Sequence, residues 1–388
     1  MTFLSIIDIV LFIIFALNIV YLAFFSVAAL CRLKVKTQAS QADKRIAILI
    51  PAYKEDAVIQ ECVQSCINQH YPPEKFDIVV ISDRMSEQTN QELQSMPLIL
   101  IKVFFENSTK AKALNYAMEQ IGAQYDIAIV LDADNTISPD FLQQINDIFH
   151  TDRLHIVQAH RCAKNTNTPL ALLDAMSEEI NNSIFRQGHA VVGLSAALIG
   201  SGMCFDYQLF KGAMLKIDAI GGFDRALELD LLREGYRVHY LPQSHVLDEK
   251  VQHKDDFSRQ RKRWLSAQIH YLCRSIKYVP DAIIKCQIDF LDKIFQQISI
   301  PRVMLLGFSV IIAFVVTLIS AAASIKWWVV VALLVIALAL AIPRQMYSRQ
   351  LLIAATKVPY FFILVVLNIF KLKGANKKFI HTSHGIKK

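Results

Sequence analysis

Two carboxylates one residue apart, Asp132 and Asp134, are the first candidates for chemistry because they directly follow the apolar run Ile127–Leu131. Carboxylate oxygens are the hard ligands that Mg²⁺ and Mn²⁺ prefer, and such a cation can bridge the oxygens of a diphosphate. Aspartate is also common in turns after strands and at helix N-caps, so the pair alone is a weak signal. Whether the pair indicates a metal site depends on the residues that the fold brings beside it.

Short β-branched runs that alternate with helical patterns must position these acids. The predicted strands are Ile46–Ile50, Ile78–Ser82, Leu98–Phe105, Ile127–Leu131 and Ile156–Ala159. The predicted helices between them are Ala57–Asn68, Ala111–Gln120 and Pro139–Phe149. This order predicts an α/β fold, with a mostly parallel sheet that carries helices on both faces.

Polar residues also follow the other predicted strands. Asp83 follows the second strand and Lys110 follows the third. Ligands of such sheets bind beyond the carboxyl ends of the strands, so these residues and the acidic pair are expected at one edge. Neither G-x-G-x-x-G nor G-x-x-x-x-G-K-[ST] occurs, so the phosphate-binding glycines of dinucleotide-binding and P-loop proteins are missing.

Over residues 45–270 this arrangement resembles the family 2 inverting glycosyltransferases with a nucleotide-sugar-binding GT-A domain, specifically the membrane-embedded branch that includes cellulose, chitin and hyaluronan synthases. The resemblance implies a nucleotide-sugar donor, which is expected to be UDP-linked, and Mg²⁺ or Mn²⁺ as cofactor. It assigns the metal to Asp134 and Asp132, with Asp132 also contacting the nucleotide. The remaining donor-side residues that it implies are Pro51, Tyr53 and Glu55 in the base pocket, Asp83 at the uridine, and Lys110 with Asn115 near the nucleotide-sugar.

Three later motifs strengthen the resemblance. The loop from Gly200 to Gly202 resembles the family's acceptor-side glycine loop, where missing side chains let a sugar approach the backbone. The segment 221–238 resembles the helix that carries the catalytic base. Gln260, Arg263 and Trp264 match the Q-x-x-R-W motif, which lies near acceptor sugar and diphosphate in that family. Trp264 could instead be an interfacial anchor.

The base itself is ambiguous, because the family's usual Glu-Asp pair is replaced by the segment 224–230. Asp224 and Glu228 share a helical face, whereas Asp230 lies about 160° from Glu228. We favour Glu228, with Asp224 as the second candidate and Asp230 solvated. The segment 248–250 (D-E-K) also resembles a family element, but a surface charge cluster is the alternative, and His245 is a weak third metal-ligand candidate.

The implied mechanism is a single displacement at the anomeric carbon. A base would deprotonate an acceptor hydroxyl, which attacks opposite the departing nucleoside diphosphate and inverts the configuration. Arg263 and Lys110 are expected to stabilise the charge that develops on the diphosphate, together with the metal.

The composition places part of the chain in lipid. The 388 residues are 54% hydrophobic and only 19% charged, and the net charge of +7 is not massed in one segment. That balance fits anionic lipid or nucleotide phosphate better than a duplex, so no nucleic-acid partner is expected. Uncharged stretches at 9–30, 303–325 and 327–343 predict an N-terminal anchor and a transmembrane hairpin. The seven cysteines form no zinc or disulfide pattern.

Basic residues predict the topology. Arg32, Lys34 and Lys36 follow the first apolar stretch, which indicates that the next domain is cytoplasmic, and a bacterial inner membrane is the expected location. The apolar stretch 351–370 is broken by Lys357 and Pro359 and precedes a basic tail, so an interfacial or re-entrant segment is favoured over a full crossing.

The predicted organisation therefore has six parts. They are an anchor at 1–36, a cytoplasmic catalytic domain at 37–270, interfacial amphipathic helices at 271–302, a transmembrane hairpin at 303–344, the ambiguous apolar segment at 345–372 and a basic cytoplasmic tail at 373–388. The expected acceptor is a saccharide or a lipid-linked molecule. So few spans form a thin bundle, and export of a product through this chain alone is doubtful. An oligomer or an export partner is therefore compatible with the sequence.

Two rival interpretations remain. Residues 132–136 also fit the D-x-D-x-T motif of haloacid-dehalogenase-like phosphatases, with Asp132 as phosphorylated nucleophile. That motif normally ends the first strand of its sheet, whereas three predicted strands precede it here. A non-catalytic membrane scaffold is the other rival, but it would have no reason to place acids after consecutive strands.

Overall fold

The computed structural model describes residues 3–33, 35, 42–150 and 154–370. Lys34, Lys36 and the basic tail at 373–388 lie outside this part, so the predictions made for them are not tested by the structure.

One eight-stranded sheet organises the domain between the apolar helices, in the order β3-β2-β1-β4-β7-β6-β8-β5. The strands are β1 Ile46–Tyr53, β2 Phe76–Asp83, β3 Ile99–Val103, β4 Ile127–Val130, β5 Thr136–Ile137, β6 Ile156–Ala163, β7 Met203–Asp206 and β8 His239–Asp248. The first four strands pair in parallel, and β7 runs antiparallel to both β4 and β6. The α/β class and the mostly parallel sheet are confirmed.

Sixteen α-helices are present in the described part of the chain. They are α1 Phe3–Ala28, α2 Ile59–Ile67, α3 Glu87–Gln94, α4 Lys110–Gln120, α5 Phe141–Phe149, α6 Pro169–Asn181, α7 His189–Val191, α8 Tyr207–Met214, α9 Phe223–Arg233, α10 Lys254–Ser275, α11 Val279–Ile284, α12 Ile288–Ile298, α13 Arg302–Ile319, α14 Ala321–Leu340, α15 Arg349–Ala355 and α16 Val358–Phe370. A π-helix at Asn182–Gly188 continues α6.

The core lies on both faces of the sheet. Along β1, Ala47 and Leu49 join one apolar cluster, and Ile46, Ile48 and Ile50 join another. Alternate residues of a strand point to opposite faces, so a strand that is buried on both sides needs apolar residues at every position. That requirement explains the continuous apolar runs from which the strands were predicted.

Three helices are long and apolar enough to cross a membrane, namely Ser5–Ala28, Arg302–Ile319 and Ala321–Leu340. The two helices of the predicted hairpin are separated at Ser320. The prediction that Lys326 separates them was wrong. The Ser320 hydroxyl caps α14 by accepting from the Ala323 amide at 3.3 Å. Lys326 can remain inside the helix because its ammonium pairs with the Asp8 carboxylate of α1. The same pair also stabilises the Asp8 carboxylate inside α1, which begins at Phe3, before the predicted Ile9.

The last apolar stretch forms a bent pair, in which Arg349–Ala355 and Val358–Leu367 meet at 40°. The bend lies where Lys357 and Pro359 were expected to break the segment. A fourth span is possible by length if the pair counts as one, so both alternatives for this segment stay open. At 271–302, α12 buries Phe290 and Ile294, and the interfacial position predicted for this segment stays a prediction.

Candidate active site

A cavity of about 1270 Å³ opens between the carboxyl ends of the parallel strands and the apolar helices. Most of the predicted site residues line it, although they come from the ends of β-strands, from the start of α4, from α9 and from α10. They are Pro51, Tyr53, Glu55, Asp83, Lys110, Asp132, Asp134, Asp224, Glu228, Gln260, Arg263 and Trp264. Since the cavity exceeds the usual ~300–1,000 Å³ of a small-ligand site, it has room for two substrates.

Two predicted residues lie off the cavity wall. The Asn115 side-chain amide donates to the Met214 carbonyl at 3.0 Å, which ties α4 to the end of α8. Gly202 is packed under the sheet, where an added Cβ would lie 3.0 Å from Val246. In the same loop Gly200 lines the cavity instead.

The acidic pair at the end of β4 gains a third carboxylate from the end of β8. Ligand atoms of Asp132, Asp134 and Asp248 all lie within 4.8 Å of one another. Asn135 orients two of them, because its amide nitrogen lies 3.1 Å from Asp134 Oδ1 and 3.2 Å from Asp248 Oδ1. The Glu249 amide donates to Asp134 Oδ2 at 3.2 Å.

This triad suits a divalent cation. Three carboxylates from two strand ends, β4 and β8, offer hard oxygen atoms to one point, and that is the donor set expected for Mg²⁺ or Mn²⁺. His245, the weak third candidate, does not belong to it, because its ring instead contacts the His160 ring at 5.1 Å between centroids. Asp248 was missed as a third candidate ligand because the D-E-K motif had an equally good interpretation as surface charge.

Buried cations balance the triad. Lys250 Nζ lies 2.8 Å from Asp248, Arg161 lies 3.7 Å from the same carboxylate, and both cations also approach Glu178. Burial would raise the pKa of Asp248, but Arg161 and Lys250 together hold it below its ordinary value. Asp248 is 8% exposed and Lys250 is 3% exposed, so the surface-cluster alternative was wrong.

Asp132 has its own cation. Lys110, the first residue of α4, places Nζ 2.5 Å from Asp132 Oδ1 and donates to the Gly200 carbonyl at 2.6 Å. Thr109 caps this helix by accepting from the Lys112 amide at 3.2 Å, which fixes the position of the first turn. Lys110 therefore links the strand edge to the glycine loop.

Asp83 ends β2 with its carboxylate in the cavity wall. The side chain is buried, and Asp83 Oδ1 has no hydrogen-bond partner among the described residues. Burial raises the pKa of this carboxyl, and nearby Arg84 opposes the shift. Lys54 and Arg84, the residues after β1 and β2, have φ angles of 56° and 57°, a strained conformation that often marks binding sites.

The two candidate bases on α9 have different surroundings. Glu228 is 1% exposed, its Oε1 lies 2.7 Å from Lys293 Nζ of α12, and it accepts from the Leu198 amide at 3.3 Å. Burial raises its pKa, although the Lys293 charge opposes this effect. Asp224 is half-buried in the first turn of α9 and faces Gly200, where an added Cβ would lie 3.5 Å from Asp224 Oδ2.

The Q-x-x-R-W residues complete the wall from α10. Arg263 lines the cavity; burial lowers the pKa of its guanidinium, and the Asp132 and Asp224 charges oppose this shift. Arg261 lies over the Trp264 ring at 4.5 Å from its centroid and pairs with Asp174 at 2.6 Å. This stacking fixes the Trp264 ring against the cavity.

Comparisons with known proteins agree with this geometry. The model of the family described as glycosyltransferase like family 2 matches residues 43–267. The β-monoglucosyldiacylglycerol synthase of Synechocystis sp. is 24% identical over 233 residues, which cover 57% of this chain and 47% of that protein. An N-acetylglucosaminyltransferase of Rhizobium meliloti is 24% identical over 237 residues, which cover 56% and 54%. The chain thus spans about half the length of the curated relatives it matches.

Among solved structures, the mannosyltransferase PcManGT of Pyrobaculum calidifontis, in complex with GDP-Man and Mn²⁺, superposes with a TM-score of 0.57. The match covers 92% of this chain and 99% of that chain at 17% identity, so it shows the shared fold. The proposed kinship with the cellulose, chitin and hyaluronan synthase branch stays a prediction. The family match spans more than half of the residues, and the chain therefore belongs to glycosyltransferase like family 2.

Proposed function

We propose that this chain is a membrane-bound inverting glycosyltransferase that transfers a sugar from a nucleoside-diphosphate sugar to a saccharide or lipid-linked acceptor. One observation carries the proposal. The Asp132, Asp134 and Asp248 carboxylates open into the same cavity as Asp224 of α9, so a cation-bound diphosphate and a base would face one space.

The donor would lie along the strand edge. Asp83 offers an unpaired carboxylate oxygen to the N–H groups of a nucleobase, between the ends of β1 and β2. Mg²⁺ or Mn²⁺ held by the acidic triad would supply Lewis-acid stabilisation of the leaving diphosphate. Lys110 and Arg263 bring two further positive charges to the same wall, where they would stabilise the charge that develops on the departing oxygen.

The surroundings favour Asp224 over Glu228 as the base, which reverses our preference from the sequence. A base must reach the acceptor hydroxyl and accept its proton. Glu228 is buried with Lys293 as a permanent counter-charge, whereas Asp224 is half-buried beside the glycine loop. We therefore assign the proton transfer to Asp224 and a supporting role to the Glu228–Lys293 pair.

The rival functions have less support. A phosphatase nucleophile at Asp132 must attack phosphorus, but Lys110 Nζ lies 2.5 Å from its Oδ1. Asp132 also follows β4, the fourth strand of the chain, whereas the phosphatase motif normally follows the first. The family match also disfavours a scaffold without catalytic activity.

The test is turnover of nucleotide sugars by the purified chain in detergent. We expect diphosphate release with Mn²⁺ or Mg²⁺, and a preference for UDP-linked donors. Asp134→Asn should lower the rate at least about a hundredfold, whereas the exposed Asp140→Asn should leave it unchanged. No turnover of any donor would refute the proposal, and a preference for GDP-linked donors would overturn the choice of nucleotide.

The membrane placement is part of the proposal. It rests on three apolar spans and on the basic Arg32 after α1, and it puts the catalytic domain in the cytoplasm of a bacterium. Cys286 is exposed between α11 and α12 on the catalytic side. In sealed inside-out vesicles an impermeant maleimide should label Cys286, and labelling only in right-side-out vesicles would contradict the orientation.

A further inference from the structure

The active-site cavity continues past the carboxylates into an apolar region. There its wall consists of side chains from the helices that follow the catalytic domain, namely Leu306, Leu338, Ile342, Leu351 and Phe361. Ile342 lies just after α14, and the others come from α13, α14, α15 and α16, the helices that carry the apolar spans and the bent pair. A soluble sugar gains nothing from such a wall, whereas a hydrocarbon chain is stabilised by each apolar group that it removes from water.

An arginine lies where the polar and apolar regions meet. Arg302, the first residue of α13, lines the cavity and donates from Nη2 to Asn181 Oδ1 at 2.7 Å and to the Ser177 carbonyl at 3.3 Å. Its Nη1 is buried and has no hydrogen-bond partner among the residues that the structure describes. No carboxylate lies within 4.0 Å of this guanidinium in the described ranges.

The carboxylates near Arg302 are already paired with other cations. Arg261 is paired with Asp174 at 2.6 Å. Arg161 and Arg186 share Glu178, at 2.9 Å and 3.2 Å respectively. Arg161 also lies 3.7 Å from Asp248, but that carboxylate is already paired with Lys250 at 2.8 Å. Around the junction the positive charges therefore outnumber the carboxylates. Arg302 is partly buried and its hydrogen-bond partners are neutral. A guanidinium that is partly removed from water without a carboxylate beside it is costly, and an anion that enters the cavity would offset this cost.

We propose that the acceptor is a lipid with an anionic phosphate in its headgroup, the phosphate lying beside Arg302 and the hydrocarbon chain lying in the apolar region. This inference rests on the proposed function, which it deepens by naming the acceptor class. A hydroxyl of the headgroup would form the new bond to the anomeric carbon and lose its proton to Asp224. The bond from that carbon to the diphosphate oxygen would break, and its electron pair would leave with the nucleoside diphosphate.

The test is binding of defined lipids to the full chain in detergent, measured by native mass spectrometry. The probes are dioleoyl phosphatidylglycerol, which has chain, phosphate and hydroxyl, dioleoylglycerol, which lacks the phosphate, and glycerol 3-phosphate, which lacks the chains. We expect phosphatidylglycerol to bind at least about tenfold more tightly than dioleoylglycerol, since a hydrogen bond to a charged group stabilises about that much. It should also bind at least about tenfold more tightly than glycerol 3-phosphate, because only the lipid buries hydrocarbon chains. Equal binding of dioleoylglycerol would overturn the phosphate assignment, and equal binding of glycerol 3-phosphate would overturn the lipid assignment.

Two variants locate the site. Arg302→Gln should weaken phosphatidylglycerol binding about tenfold and leave dioleoylglycerol unchanged, and Arg302→Lys should restore part of the loss. Because Arg302 also holds α6, the second variant avoids it. Ala339→Trp would fill the apolar region and should weaken both lipids, whereas Ala332→Trp, on the exposed side of the same helix, should weaken neither. Unchanged lipid binding in Ala339→Trp would refute the location.

These outcomes are separable from those of the proposed function. Release of diphosphate from the donor in the absence of lipid reports the nucleotide-sugar activity of the wild-type chain. A chain that turns over no donor would refute the proposed function while the lipid affinities remain readable. A chain that turns over the donor but shows no preference for the phospholipid would refute only this inference.

Discussion

Variants of the Glu228–Lys293 pair can show whether Glu228 has a structural role or is the catalytic base. Its atoms are 2.7 Å apart, and the two side chains are 2% and 9% exposed. Two unit charges at that distance attract by about 6 kcal/mol at an effective dielectric constant of about 20, but removing each ion from water costs several kcal/mol. The intact pair should therefore contribute little net stability, whereas breaking it should be expensive.

Lys293→Met leaves the Glu228 carboxylate buried without its cation, so the free energy of unfolding should fall by about 3–5 kcal/mol. In the double variant Glu228→Gln/Lys293→Met the loss should be at least about 1 kcal/mol smaller than the sum of the single losses, because no charge remains buried alone. The assay is urea denaturation in detergent, followed by circular dichroism.

Sugar transfer by the same double variant decides the base. If Asp224 is the base, the folded double variant should keep transfer within about tenfold of wild type, and Asp224→Asn should lose at least about a hundredfold with its stability unchanged. A double variant that is folded but loses as much transfer as Asp224→Asn would refute the reasoning and return the role to Glu228.

Three further predictions follow from the site. Asp248→Asn should weaken Mn²⁺ binding at least about tenfold in a calorimetric titration, and unchanged affinity would exclude it as a ligand. Burial raises the pKa of Asp83, so as pH falls it takes up its proton at a pH above the ordinary 3.8; donor affinity should weaken over that interval in wild type, and a similar pH dependence in Asp83→Asn would contradict its role. Gly222→Ala should cost more than about 1 kcal/mol of unfolding free energy, because φ is +67° and the added Cβ would lie 2.9 Å from Ala267, while Gly212→Ala meets nothing within 4 Å and should be neutral or stabilising; equal effects would be inconsistent with this geometry.

The sequence predicted the elements with the strongest periodicity. The strands β1, β2 and β4 contain unbroken apolar runs of at least four residues that are buried on both faces, so their existence and parallel order could be inferred. The strands β5, β7 and β8 could not, because β5 has two residues, β7 has four and β8 includes Pro242 and Ser244 among alternating polar residues. Their pairing depends on long-range contacts that no local pattern records.

The site residues likewise divide into those that could be predicted from the sequence and those that could not. Residues that directly follow apolar strands, such as Asp83 and Asp132, were predicted to meet because parallel strands end at one edge. Asp248 is the last residue of β8, a strand that was not predicted, so nothing in the sequence placed it beside them. The order of the two candidate bases depends on Lys293, which lies on α12 and is distant in the sequence from Glu228.

The central claim is that the three carboxylates hold a cation that in turn holds the donor's diphosphate. The most direct measurement is a titration of the purified chain with Mn²⁺, followed by electron paramagnetic resonance, with and without UDP. One bound Mn²⁺ per chain, tightened by UDP and lost in Asp134→Asn, is the predicted result. Mn²⁺ binding that neither responds to UDP nor depends on Asp134 would contradict the account.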